Sequence, residues 1–251
     1  MTAVTVPAAP AVRHRGRVAW RIIASIIAVA AVLWGSLSVV NVLAHGEHHF
    51  TRTFSSAGIA AVDVSTDRGS VRVIASDRDG ISLHDYISDG LGGTDHSARV
   101  RGSRLEVDGS CAFPVAYWCT ASYTLRVPRD VRVVLWSGSG DVSVSGLRGA
   151  ANLTSQHGDI SAARLRSQVV HASSDHGDVR VELARAPQDV DASSTHGDVT
   201  VVVPRGSGPY RVEASTDHGD THVHVPTEST ATRVIRVSSA HGDVTVRTAA
   251  S

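Results

Sequence analysis

Over most of the chain, apolar and polar residues alternate with a period of two, and a Gly-Asp dipeptide interrupts the alternation at near-regular intervals. The clearest copies are VHASSDHGDVRV (170–181), VDASSTHGDVTV (190–201) and VEASTDHGDTHV (212–223). In these, Val170 and Ala172, Val190 and Ala192, or Val212 and Ala214 stand seven and five places before the Gly. Apolar residues recur two and four places after it, as Val179 and Val181 or Val199 and Val201. Period two on each side predicts two strands, each with one face inward, joined by a corner. Gly supplies the backbone freedom a tight corner needs, and Asp can accept backbone N–H bonds there.

The corners are Gly140-Asp141, Gly158-Asp159, Gly177-Asp178, Gly197-Asp198, Gly219-Asp220 and Gly242-Asp243. Their spacings are 18, 19, 20, 22 and 23 residues, a slowly lengthening period. Self-similarity of this length predicts stacked units, each burying its inner face on its neighbours. Residues 131–248 therefore read as a β-solenoid or β-roll, with parallel ladders about 4.8 Å apart. Keeping the coils aligned requires extra residues such as PRGSGP (204–209) to bulge into loops. Residues 58–130 are less regular. Strand candidates lie at 58–66, 70–76, 81–87, 104–109 and 122–128, interrupted by DGLGG (89–93) and a cysteine pair. This segment reads as an irregular β lead-in that caps the first edge. An earlier corner copy, VDVSTDRGSVRV (62–73), lacks both His and Asp.

The N-terminal pattern is different. No charged residue occurs from Ile22 to Ala44, 23 residues that as a helix reach about 35 Å, enough to cross a bilayer core. The fold class expected is thus all-β, preceded by one N-terminal transmembrane α-helix. Arg13, Arg15, Arg17 and Arg21, with no acid among residues 1–21, place that basic tail in the cytoplasm and residues 45–251 outside it. Residues 45–57 are then a juxtamembrane linker. A cleaved signal peptide ending at Ala44 is the rival, weakened by an apolar run longer than a signal core. Export makes a disulfide the default for Cys111 and Cys119, which flank AFPVAYW.

Basic and acidic side chains number 24 each. The four-arginine tail leaves the rest mildly acidic, which argues against a nucleic-acid partner. The run YTLRVPRDVRVVLWSGSGDVSVSG (123–146), followed by serial S-S-x-H-G-D-V units, resembles a bacterial adhesin-like domain family of unknown function. The resemblance covers about residues 55–248. It implies a Gly-Asp repeat solenoid, often behind a membrane helix, and carries no catalytic or binding residues.

This chain departs from that family's Ser-Gly-Asp by placing His157, His176, His196, His218 and His241 before the Gly in five coils. Three readings stand: a register-holding ladder, a divalent-metal site for zinc, copper or nickel, and a surface that titrates near neutrality. No cofactor is required by the first. His45, Glu47, His48 and His49 form a second candidate metal group, or a solvated linker. Ser, His and Asp adjoin in each coil, but repetition of one trio at a turn points to architecture and away from a catalytic triad. The expected function is a non-enzymatic, membrane-anchored surface protein of the cell envelope. Its surface ligand is unknown, and Arg180, Glu182, Thr200, His222 and His224 project from the solenoid flank. The alternative is an envelope-, metal- or pH-sensing accessory acting through its helix, for which Gly35, Ser36 and Ser38 are candidate packing positions.

Overall fold

The computed structural model describes residues 15–43, 46–89, 94–111 and 119–250. The chain divides after His45 into a helical unit and a β unit.

Helix α1 (Arg15–Leu43) has 29 residues, and its described side chains are all exposed, Trp20, Ile26 and Trp34 among them. The Ser25 and Ser36 hydroxyls donate back to the carbonyls of Arg21 and Val32, so their polar groups are satisfied within the helix. Among the described residues no helix is long and apolar enough to cross a membrane.

The β unit begins with β1 (Gly46–Phe54), β2 (Ala61–Thr66), β3 (Val71–Ser76), β4 (Ile81–Asp89) and β5 (Thr94–Arg101). Next come β6 (Arg104–Cys111), β7 (Thr120–Pro128), β8 (Arg132–Ser139) and β9 (Val142–Ser145). The later coils are β10 (Ala151–His157) with β11 (Ile160–Leu165), and β12 (Val169–His176) with β13 (Val179–Leu183). The last three are β14 (Asp189–His196) with β15 (Val199–Val203), β16 (Arg211–His218) with β17 (Thr221–His224), and β18 (Val234–His241) with β19 (Val244–Thr248). Each coil gives one strand to each of two sheets. One sheet runs β1-β4-β7-β3-β9-β11-β13-β15-β19-β17 and the other β16-β18-β14-β12-β10-β8-β2-β6-β5. The inward residues of the repeat, such as Val170, Ala172, Val179 and Val181, are fully buried between the sheets. Small Val and Ala side chains suit so narrow an interior.

Two sequence expectations need correction. Residues 46–54 were expected in a linker, yet they form β1, paired antiparallel with β4. The lead-in is also more regular than its sequence suggests. β2 and β3 run parallel and in register with β8 and β9, and β6 and β7 pair parallel with β2 and β3. The solenoid therefore starts near residue 61, and the cap is β5, β4 and β1, all antiparallel. Antiparallel strands cannot propagate the parallel stack, which closes this end.

The order of the coils in the stack departs from their order in the chain. The stack runs β6/β7, β2/β3, β8/β9, β10/β11, β12/β13, β14/β15, β18/β19, β16/β17. The chain skips one slot, builds β16/β17 at the far end, and returns to fill the gap with β18/β19. Ile235 consequently sits opposite both Val190 and Val212. The small differences in residue type between the coils suit this order. The inner coil offers Ile235, Val237, Val244 and Val246, all buried, whereas the outer coil has Thr221 where the other coils place Val or Ile. Val212 and Ala214 of β16 are only partly buried, and Val223 is 37% exposed. Arg236 reaches Asp189 on one side (3.1 Å) and Glu213 on the other (3.4 Å), joining three neighbouring coils.

One buried carboxylate lies in the cap region. Asp85 on β4 is 3% exposed, and its Oδ1 has no hydrogen-bond partner. Burial pushes its carboxyl above the usual carboxylate range, against the pull of Arg52, His96 and His84. A carboxyl raised in this way holds its proton more tightly folded than unfolded. Stability therefore falls as pH rises from the ordinary carboxylate range through the raised value. Asp85→Asn is expected to flatten that slope and to gain about 1 kcal/mol at neutral pH, read from urea unfolding at several pH values. An unchanged pH profile would count against the assignment.

Candidate functional site

The corner residues line up into columns, each with its own chemistry. The corner glycines have φ between +147° and +156°. A Cβ on Gly177 would lie 2.4 Å from the Gly158 carbonyl oxygen, and the same approach recurs up the stack. The Gly N–H donates to the carbonyl of the His in the adjoining coil, as from Gly177 to His196 at 2.9 Å. Three places before each Gly, a buried hydroxyl points inward. Ser137, Ser155, Ser174, Ser194 and Ser239 donate to the carbonyls of Gly69, Gly140, Gly158, Gly177 and Gly197 at 2.8–3.1 Å. Thr216 does the same to Gly242. Sequence reasoning missed this role, although the hydroxyl recurs at that place in every copy. Ser174→Ala should cost about 1–3 kcal/mol by leaving a buried carbonyl without its donor, while Ser174→Thr should be nearly silent. Thermal unfolding of the two variants checks this, and equal losses would sink it.

The aspartates form the second column. Asp159, Asp178, Asp198, Asp243 and Asp220 each donate a backbone N–H to Oδ1 of the preceding Asp in the stack, at 2.8–3.1 Å. A charge-assisted bond to each carboxylate from Asp141 to Asp243 offsets the repulsion within the column.

The histidines form the third, in the order His157, His176, His196, His241, His218. Successive ring centroids are 4.6–4.9 Å apart, with planes within 8° of parallel. The five rings thus form one continuous column that follows the coil order of the stack, not that of the chain. Parallel stacking does not suit chelation. Two imidazole nitrogens on one zinc are at most about 4.2 Å apart, because each bond is about 2.1 Å. Among the described residues no group of three or more His, Cys, Asp or Glu could hold a metal ion. Of the other metal candidates, His45 lies outside the described residues, Glu47 and His48 belong to β1, and the His49 ring packs 5.0 Å from Tyr86. Within a coil the serine is turned inward and the imidazole outward, so Ser, His and Asp do not converge as a triad.

The columns change character at one end. The slot before the Gly holds His in five coils, but Ser139 and then Arg68 beyond His157. The slot two before the Gly holds Gln156, then Gly138, then Asp67. The outward slot four before it holds Ser215, Ser238, Ser193, Ser173 and Thr154, then Trp136. Two small residues in successive columns leave a shallow cavity of about 290 Å³, which Trp136 borders. Gly138 is required here: a Cβ would come within 2.6 Å of the Asp67 carbonyl and 3.2 Å of Trp136 Cη2. His157 Nδ1 faces the Gly138 carbonyl at 3.4 Å. At the cavity edge is Cys111, whose N–H donates to Asp67 Oδ2 at 3.3 Å. Cys111 and Cys119 form the expected disulfide, closing a short loop that contributes roughly 2–3 kcal/mol. Residues 112–118 lie outside the described residues. On the flank, Arg180 pairs with Glu182, and His222 and His224 are exposed on the edge strand β17.

Residues 130–247 match the family described as Toastrack DUF4097, in agreement with the resemblance of the Gly-Asp repeats. No curated protein matches the chain. Among solved structures, a candidate cell-adhesion protein from Clostridium sporogenes is 9% identical with a TM-score of 0.49, covering 81% of this chain and all of its own. A candidate adhesin from Bacteroides fragilis is 15% identical with a TM-score of 0.46, covering 80% of this chain and 97% of its own.

Proposed function

We propose, from the premise that residues 130–247 are a Toastrack domain, that this chain is a membrane-anchored protein displaying a non-enzymatic, adhesin-like solenoid outside the cytoplasm. One juxtaposition carries the reading: an uncharged stretch behind four arginines leads into a solenoid stapled by a disulfide. A span of 22–44 satisfies its backbone within a helix, as lipid demands, and the arginines hold the tail inside. A disulfide persists in an oxidising compartment, in keeping with an outward solenoid. The stacked columns support a structural surface over a catalytic one, since the same trio of side chains recurs without convergence. The flank of the solenoid would meet other components of the cell envelope.

Fractionation and surface proteolysis of cells making the full chain test this. The expected result is an uncleaved chain that resists alkaline extraction from membranes and loses its solenoid to external protease only after disulfide reduction or heating. A soluble chain, or one cleaved near Ala44, would overturn the anchor.

A further inference from the structure

We infer that the cavity beside Trp136 is a binding site for one unit of a neutral saccharide, with the adjoining hydroxyl column receiving the next units. The inference names a ligand class for the outward-facing solenoid and rests on that reading of the chain's location. Its physical basis is the break in the columns. In the neighbouring coils the outward slot holds Ser or Thr, side chains too small to form a platform. Trp136 occupies that slot alone, half-buried, and Gly138 makes room for its ring. An indole face offers an apolar surface to the C–H groups of a pyranose, while its edge stays wet.

Around that platform the polar groups are mixed. Asp67 supplies acceptors, Arg68 donors, and the Gln156 amide and His157 imidazole supply both. Asp67 and Arg68 carry one charge of each sign, so the lining favours a neutral polyol over a strongly charged ligand. A cavity of about 290 Å³ is at the small end for ligand sites and suits a single ring. From Trp136 the hydroxyls of Thr154, Ser173, Ser193 and Ser238 continue along the same face at the coil repeat of about 4.8 Å. Ser193 donates to Ser173 at 3.1 Å, and a second shallow groove of about 290 Å³ lies over this stretch. The arrangement presents one stacking position followed by a row of hydroxyls, which fits a linear glycan better than an isolated sugar.

The repeat itself provides conservative tests. Trp136→Ser installs the residue that five other coils carry in that slot, Ser65 of the adjoining coil included, and Ser139→His installs the residue that five coils carry before the Gly, filling the cavity. Full-length protein in a non-glycosidic detergent would be titrated with chitotetraose and with cellotetraose by calorimetry. Binding of at least one of them, weakened about tenfold or more by each substitution with unchanged melting temperature, is expected; His218→Ser, at the far end of the column, should leave it unaltered. Absence of binding by both oligosaccharides at millimolar concentration, or equal binding by Trp136→Ser, would overturn the site. The two proposals fail separately. A cytoplasmic solenoid that binds chitotetraose through Trp136 removes the localisation and keeps the site. An outward solenoid that binds neither oligosaccharide does the reverse.

Discussion

Gly177→Ala is expected to lower the stability of the β unit by about 3–5 kcal/mol, measured by chemical denaturation of the full chain. Two costs combine. The φ of +149° is a conformation that a residue with a Cβ adopts only under strain. The new methyl carbon would also lie 2.4 Å from the Gly158 carbonyl oxygen and 2.6 Å from its carbon. Neither atom can step aside, because both belong to a coil held on its other side by the next one. Gly206→Ala is the control. It also has a positive φ, of +68°, but a Cβ there meets nothing within 4 Å, so the cost should be about 1 kcal/mol. If the two variants lost similar stability, the glycine column would matter only for chain conformation and the close stacking argument would fall.

Ile235→Ala is expected to cost about 3–4 kcal/mol, and Val212→Ala less than about 1 kcal/mol. The contrast tests the coil order. Ile235 is fully buried between Val190 and Val212, so its loss opens a cavity bounded by two coils. Val212 stands on the outermost coil, partly exposed, where the surroundings can relax and water can enter. A solenoid stacked in chain order would reverse the ranking, since Val212 would then be interior and Ile235 terminal. Parallel unfolding curves for the two variants decide it, and a larger loss for Val212→Ala would refute the inserted last coil.

Much of the candidate site was legible because each residue type does one job at one place in the repeat. Val and Ala at alternate positions define the inner face, Gly-Asp marks the corner, and five histidines at one offset make a column only once the coils stack in register. The inward serines were visible as a recurrent hydroxyl, but not as buried groups, because the chain bends between Ser174 and Gly177 and period-two reasoning fails across a corner. The cavity was invisible for a related reason. It is formed by what one coil lacks, Gly138 and Ser139 standing between Arg68 and His157 of its two neighbours, and a pattern search records matches rather than gaps. In the lead-in, the Cys111–Cys119 loop and the β4–β5 excursion separate the strands of neighbouring coils, so the regular stack of β6/β7 on β2/β3 left no constant spacing to find.

The drift of the period from 18 to 23 residues left the alignment of the Asp and His columns to the tertiary structure, but the Gly-Asp repeat by itself determined a stacked parallel β structure with a corner in each coil, because each coil offers the same contacts to any neighbour. It could not determine which coil neighbours which. The units at 190–201, 212–223 and 235–246 present nearly the same inward face, so local pairing energies scarcely distinguish their order. Only the tertiary structure settled that, placing the coil with Ile235, Val244 and Val246 inside and the one with Thr221 at the open end, where a hydroxyl in an inward slot costs least. The lengthening of the period to 22 and then 23 residues is the trace of that choice, since the extra residues carry the chain past a slot and back.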